Sequence, residues 1–259
     1  YAGDFQFMLS YDVKTQRTTY HQLRNSVIYL NRYSVDVGNP YLQPETMHDL
    51  TFTTVWKYIQ VGASFQHTRN AILQPGFPMD GNDKVIMTKT VNLEQGFPTL
   101  VAYISANPTI SFWSPWLGAS IEKQWLTIDY DSFKVNCNKP VVQLEFGNTF
   151  SLGKGFTISA DYTYTTSGYW RDFNIISPAH KVDVSVNKSF FNDALSIELR
   201  GHDLLQAKDD VFMQTQVYSI FQDYIRDTRK ASLTVRYRFN SARSKYKGTG
   251  AGEQQKSRM

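Results

Sequence analysis

The sequence predicts an all-β fold, an antiparallel up-and-down sheet of about ten strands that crosses a membrane as a β-barrel. Three features carry that reading: apolar and polar residues alternate with period two along most of the chain, tight and long connections strictly alternate, and large aromatic rings gather beside the tight ones. A soluble sheet would alternate in the same way. The connections separate the two, because soluble antiparallel sandwiches usually mix short and long connections at both ends.

In chain order, Phe5, Phe7, Leu9, Tyr11 and Val13 alternate with Gln6, Ser10 and Asp12. Leu50, Phe52, Trp56 and Tyr58 alternate with Thr51, Thr53 and Lys57, and Val61, Ala63 and Phe65 follow at once. A less regular element runs from about Val85 to Ala106, interrupted near Gly96 and Pro98, and another from Leu117 to about Ile128. Val142, Leu144, Phe146 and Phe150 then oppose Gln143, Glu145 and Ser151. From Phe156 to Thr165 every even position is apolar or aromatic and every odd one polar, which gives one greasy and one wet face. Three further strands follow, carried by Val182, Val184 and Val186, by Leu195, Ile197 and Leu199, and by Leu233, Val235, Tyr237 and Phe239. No segment has helical periodicity; residues 209–227 come nearest and read as loop.

The tight connections lie around Tyr58, at Ser111 to Trp116, at Leu152 to Gly155 and at Phe191 to Asp193, while the long ones cover roughly 14–47, 70–84, 129–139, 167–179 and 205–228. Tight turns at one end of a sheet and long loops at the other is the arrangement of outer-membrane barrels, with periplasmic turns and extracellular loops. Trp56, Tyr58, Trp113, Trp116, Phe150, Phe190 and Phe191 stand beside tight turns, where a girdle at the membrane interface belongs.

Composition agrees. Aromatics make up 15% of the 259 residues while the mean hydropathy is −0.40, too polar for a bundle of membrane helices. The longest uncharged stretch, Gln95 to Ile121, contains Pro98, Pro108 and Pro115 and is not a bilayer helix. The net charge of +4 equals that of the segment 240–259, a basic tail expected on the periplasmic side, so residues 1–239 form a neutral barrel portion without the basic stripe that nucleic acid requires. The chain opens on Tyr1 without a signal sequence, so any targeting segment is expected upstream. Cys137, the one cysteine, has no thiol partner and reads as a free loop thiol.

The segment Gly38-Asn39-Pro40-Tyr41-Leu42-Gln43-Pro44-Glu45 resembles the Gly-Asn-Pro-x-Leu-x-Pro-Glu segment of TonB-dependent outer-membrane receptors, where it precedes a descending strand. Tyr20 to Arg24, Leu233 to Phe239 and the glycine-rich run after Lys245 are similar to the outer-membrane β-barrel group of these receptors found in Bacteroidetes. The resemblance covers essentially the whole chain. It implies a 22-stranded barrel filled by an N-terminal plug and energised by TonB, of which this chain would be the carboxy-terminal part. The implied partners are outer-membrane lipid, the plug and remaining barrel strands, TonB through that plug, and an extracellular ligand such as a siderophore, haem or glycan. An independent porin-like or adhesin-like barrel and a soluble β-sheet binding module remain the alternatives. Within the motif, Pro40 and Pro44 hold extended geometry and Gly38 allows a tight approach, so the role of Gly38, Asn39, Pro40, Leu42, Pro44 and Glu45 is read as structural.

Chemistry-bearing patterns are sparse. Ser185 and Lys188 match a Ser-x-x-Lys spacing, but strand alternation sends them to opposite faces. The histidines show no metal-binding spacing, and no phosphate loop, dinucleotide fingerprint or nucleophile elbow is present, so neither metal nor cofactor is expected. Glu145, Glu198, Arg200, Arg236 and Arg238 fall on polar strand positions and are read as lumen-facing charges. Enzymatic activity is not expected; the open exception is a barrel hydrolase recruiting His202 and nearby serines. Ligand contact is assigned to Tyr169, Trp170 and Arg171, an aromatic pair beside a guanidinium on a mobile extracellular loop.

Overall fold

The computed structural model describes residues 5–79, 81–130, 133–207, 209–214, 219–224 and 228–239; the basic tail 240–259 lies outside the described residues. One antiparallel ten-stranded sheet forms a wall. Its strands are β1 (Phe5–Gln16), β2 (Glu45–Trp56), β3 (Ile59–Arg69), β4 (Phe97–Ala106), β5 (Trp113–Gln124), β6 (Val141–Ser151), β7 (Phe156–Thr165), β8 (Ala179–Phe190), β9 (Leu195–His202) and β10 (Lys230–Tyr237). Each pairs with its sequence neighbour, so the topology is up-and-down; β1 and β10 stand at opposite edges and the sheet is not closed.

The nine ladders run without a register shift. Residues directly opposite share a face, so one parity rule passes from strand to strand. Leu9, Phe52 and Ala63 fall on the apolar face, as do Ile104, Leu117, Phe146, Tyr162, Val182 and Leu233. Ser10, Ser64, Tyr103, Ser120, Glu145 and Ser185 fall on the other, polar face. Leu50, Phe65, Ile104, Phe146 and Leu199 are exposed, which suits a surface solvated by hydrocarbon and not by water.

At the tight-turn end the apolar face carries Phe5, Trp56, Trp113, Phe150, Phe190 and Tyr237, with Phe5 stacked on Trp56 at 5.6 Å and Trp113 on Phe150 at 6.5 Å. Trp116 does not belong to this belt: three residues from Trp113 is an odd spacing, so its indole points to the polar face and donates to Glu145 Oε2 at 3.1 Å. Its wall strand also begins earlier than expected, at Trp113, with the turn at 107–112. Pro115 is tolerated there because residues 114–116 pair with β6 alone, the β4 ladder starting at Leu117 and only Trp113 bridging back to Ile110, so its missing donor is not required.

The long connections hold more structure than alternation indicates. Residues expected as one element from Val85 to Ala106 divide into Asn82–Lys89, which pairs in parallel with Ser34–Val37; Val91–Leu93, which pairs with Ala71–Leu73; and the wall strand β4. The element expected to reach Ile128 stops at Gln124, and Thr127–Tyr130 forms its own hairpin with Phe133–Asn136. The segment read as loop at 209–227 contains paired strands Asp209–Gln214 and Ser219–Tyr224. For the first two the reason is the same: period two reports a pleated strand but not which sheet receives it, whereas 209–214 and 219–224 pair without a clean alternation to announce them.

Candidate functional site

Ala71, Leu73, Leu93, Phe97, Leu126, Ile128, Val135 and Cys137 form a buried cluster at the long-loop end, with Tyr169 packed against it. The long connections thus make a packed cap. Cys137 is fully buried, its N–H donating to Leu126 O at 2.9 Å and its carbonyl accepting from Gln124 Nε2 at 2.8 Å. Burial, with the negative charge of Asp172 adding to it, pushes the thiol up to about 12, so it stays protonated and unreactive.

Two carboxylates tie the cap together. Glu45, at the first position of β2, accepts from Arg171 Nη2 at 2.6 Å and Nη1 at 3.1 Å and from the Ile72 N–H at 2.9 Å. Arg171 Nη2 also donates to Ile72 O at 3.2 Å, and its backbone is clasped by Gln124, whose amide accepts from the Arg171 N–H at 3.0 Å and donates to the Arg171 carbonyl at 2.7 Å. Asp36 accepts from Arg24 Nη2 at 2.5 Å, Gln74 Nε2 at 2.8 Å and Thr88 Oγ1 at 3.1 Å, with His21 Nε2 at 3.2 Å. Burial pushes the Asp36 carboxyl up, but these hydrogen bonds and the Arg24 charge outweigh it and hold it below the usual carboxylate range.

The other motif residues are structural in detail. A Cβ on Gly38 would lie 2.4 Å from Arg24 O, so only glycine permits that approach. Asn39 donates its N–H to Gln22 O at 2.6 Å and accepts from the Tyr41 N–H at 3.0 Å through Oδ1, and Leu42 is buried. Pro40 and Pro44 bracket that turn and Glu45 begins the strand.

Beside this clamp lies a cavity of about 350 Å³ whose lining includes His21, Gln74, Thr90, Trp170, Arg171 and Phe173. Trp170 is exposed and stacks on Phe173 with ring centroids 6.3 Å apart. Burial raises Asp172 on the same rim above its ordinary value. Of the three residues assigned to ligand contact, Trp170 is exposed and offers a ring, Tyr169 packs on the cap core, and Arg171 is held by Glu45. Phe173, absent from the sequence reading, sits three positions from Trp170 across a tight turn and completes the aromatic pair.

A second hollow, about 320 Å³, lies on the polar face toward the tight turns. Tyr103 lies over Gly62, where a Cβ would come within 2.4 Å of its ring, and accepts from Gln60 Nε2 at 2.9 Å; Glu145 receives Trp116 and, at 2.6 Å, Gln143 Nε2. Glu198, Arg200 and Arg236 occupy this face too, with Glu198 bonded to Arg200 Nε at 2.8 Å, and Arg238 continues the same parity past the end of β10. His202 Nδ1 stands 3.1 Å from Asp183, whereas Ser185 and Lys188 take opposite faces.

A family model described as the outer membrane protein beta-barrel family matches residues 2–237. The chain belongs to the outer membrane protein beta-barrel family. As an outer-membrane barrel chain it meets lipid with its apolar face. No curated protein matches it by sequence. Among solved structures it is similar to a mutant of the ferric enterobactin receptor from Pseudomonas aeruginosa, with a TM-score of 0.52 and 11% identity, covering 80% of this chain and 33% of that one. At that identity the likeness concerns the fold. The outer membrane β-barrel chain spans about a third of the receptor's length.

Proposed function

We propose that the chain forms the carboxy-terminal wall and outer cap of a TonB-dependent receptor that imports a large or scarce ligand, acting in transport and not in catalysis. The observation that carries this is a ten-stranded wall with both edges unpaired among the described residues, similar in fold to a third of a receptor chain. Unpaired edge amides cannot be satisfied in hydrocarbon, so β1 and β10 call for further strands. In this reading the remaining barrel strands close the wall, a plug fills the lumen against the polar face, and TonB acts through that plug.

Ligand would meet Trp170 and Phe173 at the cap cavity, with Arg171 as a positioning residue held by Glu45. Stacked aromatics suit a catecholate or haem ring or a sugar face, and the neighbour's ferric enterobactin falls within that range. The test is growth of a host carrying the natural gene, expressed whole, on a panel of ferric siderophores, haem and oligosaccharides. Uptake lost on deleting TonB, and reduced in Trp170→Ala/Phe173→Ala at unchanged surface abundance, is the expected result. Uptake indifferent to TonB overturns the receptor reading.

A further inference from the structure

The two faces of the wall differ in the balance of their charges as well as in polarity: acids and bases mix on the polar face and only bases stand on the apolar one. Every Asp and Glu in the ten strands falls on the polar face, whereas the apolar face carries only bases, namely His48, His67, Arg69, Lys123, His180 and Lys188. Their placement along the strands is selective: Lys188 stands toward the tight turns, and the other five lie in the last turns of strand before the long loops.

Four of those five lie within the four consecutive strands β2 to β5, three of them on adjacent strands and Lys123 beyond β4. His48 and His67 are direct cross-strand partners, Arg69 follows opposite Thr46, and Lys123 pairs with Leu100, whose other partner is Phe65. No carboxylate of the ten strands shares their face; Arg69 is exposed, with no side-chain hydrogen bond or ion pair among the described residues, while His48 Nδ1 is bonded to the Tyr11 hydroxyl at 2.7 Å. Lys123 is held toward the interface, its ammonium 5.8 Å above the Trp125 ring and bonded to the Asn138 carbonyl. A base at the margin of hydrocarbon keeps its head in the polar layer. A group of bases without an acid, at one interface only, is complementary to anions fixed in that layer.

We propose that His48, His67, Arg69 and Lys123 bind the phosphate groups of lipid headgroups in the leaflet at the long-loop end, the outer leaflet of an outer membrane. Arg69 supplies a planar fork for two phosphate oxygens, Lys123 a point charge, and the imidazoles further donors. The assignment rests on the membrane location and not on the transport reading.

The probe is phosphorylated lipid A against its dephosphorylated form, added to the natural gene product expressed whole and purified in detergent, with bound lipid counted by native mass spectrometry. Arg69→Gln and Lys123→Gln are each expected to weaken lipid A binding about fivefold, from roughly one kcal/mol per base near an anionic surface. Lys188→Gln should leave it unchanged, and none of the three should alter binding of the dephosphorylated lipid. Heat-modifiability on gels reports folding; if Lys123→Gln misfolds, Arg69→Gln at its exposed position decides alone. Lipid A binding unaltered by Arg69→Gln, an equal loss for both lipids, or displacement of lipid A by micromolar inorganic phosphate would overturn the proposal, the last by showing a soluble-anion site.

Discussion

Removing the Arg171 guanidinium leaves the Glu45 carboxylate nearly buried with only the Ile72 N–H to receive it. Loss of one partner from such a pair costs about 3 to 5 kcal/mol, because the other charge stays desolvated. Arg171→Ala should therefore lower the urea midpoint of the cap, read by hydrogen exchange at Ile72, while Trp170→Ala leaves it in place. Asp36 gives a pH dependence of known sign. Its folded pKa lies below the ordinary value of 3.8, so the stability it contributes is present above that range and is lost as pH falls through the lowered value. The exchange-protection gap between wild type and Asp36→Asn should be full at pH 7 and close only below about pH 3.8; a gap that closes well above that range would remove Asp36 as its source. Neither clamp was legible in the sequence. Glu45 and Arg171 are 126 residues apart, and nothing in local patterning relates two such positions, so the sequence reading gave Glu45 a role in punctuation and Arg171 a role in recognition.

At the scale of the strand, alternation is enough to fix which residues meet lipid, because the ladders contain no bulge. Depth is not fixed by alternation, and register supplies it. Val184 lies mid-strand, paired with Ala160 and Gly201, whereas Ile197 pairs with Lys188 close to the tight turn. Arg at Val184 should cost about 2 to 4 kcal/mol and at Ile197 only about 0 to 1, with Ile158 between them, since the penalty falls toward the interface. Thr157, Ser185 and Ser196, on the polar face, should accept Arg at little cost. Urea unfolding in lipid vesicles measures the series, and equal tolerance on both faces would remove the membrane assignment. The wall was readable because its strands repeat one physical rule. The cap was not: Asn82–Lys89 and Val91–Leu93 obey the same period but pair with other loop strands, and that choice depends on contacts distant in sequence.

The whole molecule is governed by its edges. β1 offers twelve residues and β10 eight along margins with no partner strand among the described residues. In water such edges could be blunted by charge or proline; in hydrocarbon each unpaired amide costs several kcal/mol, so the wall must be completed by something. A barrel made from these ten strands alone would bring Glu145, Glu198, Arg200 and Arg236 together across a narrow lumen along with Tyr103 and Trp116, whereas a wider barrel leaves room for a plug against them. The chain expressed by itself and refolded in detergent is therefore expected to be oligomeric or aggregated, poorly heat-modifiable on gels, and open to protease within β1 and β10. Co-refolding with the upstream barrel segment of the natural gene product should protect both strands together, because both edges find partners in the same closure. A monodisperse, protease-resistant monomer from these 259 residues alone would instead mean that β1 pairs with β10, and the chain would then be a complete small barrel of the porin or adhesin kind.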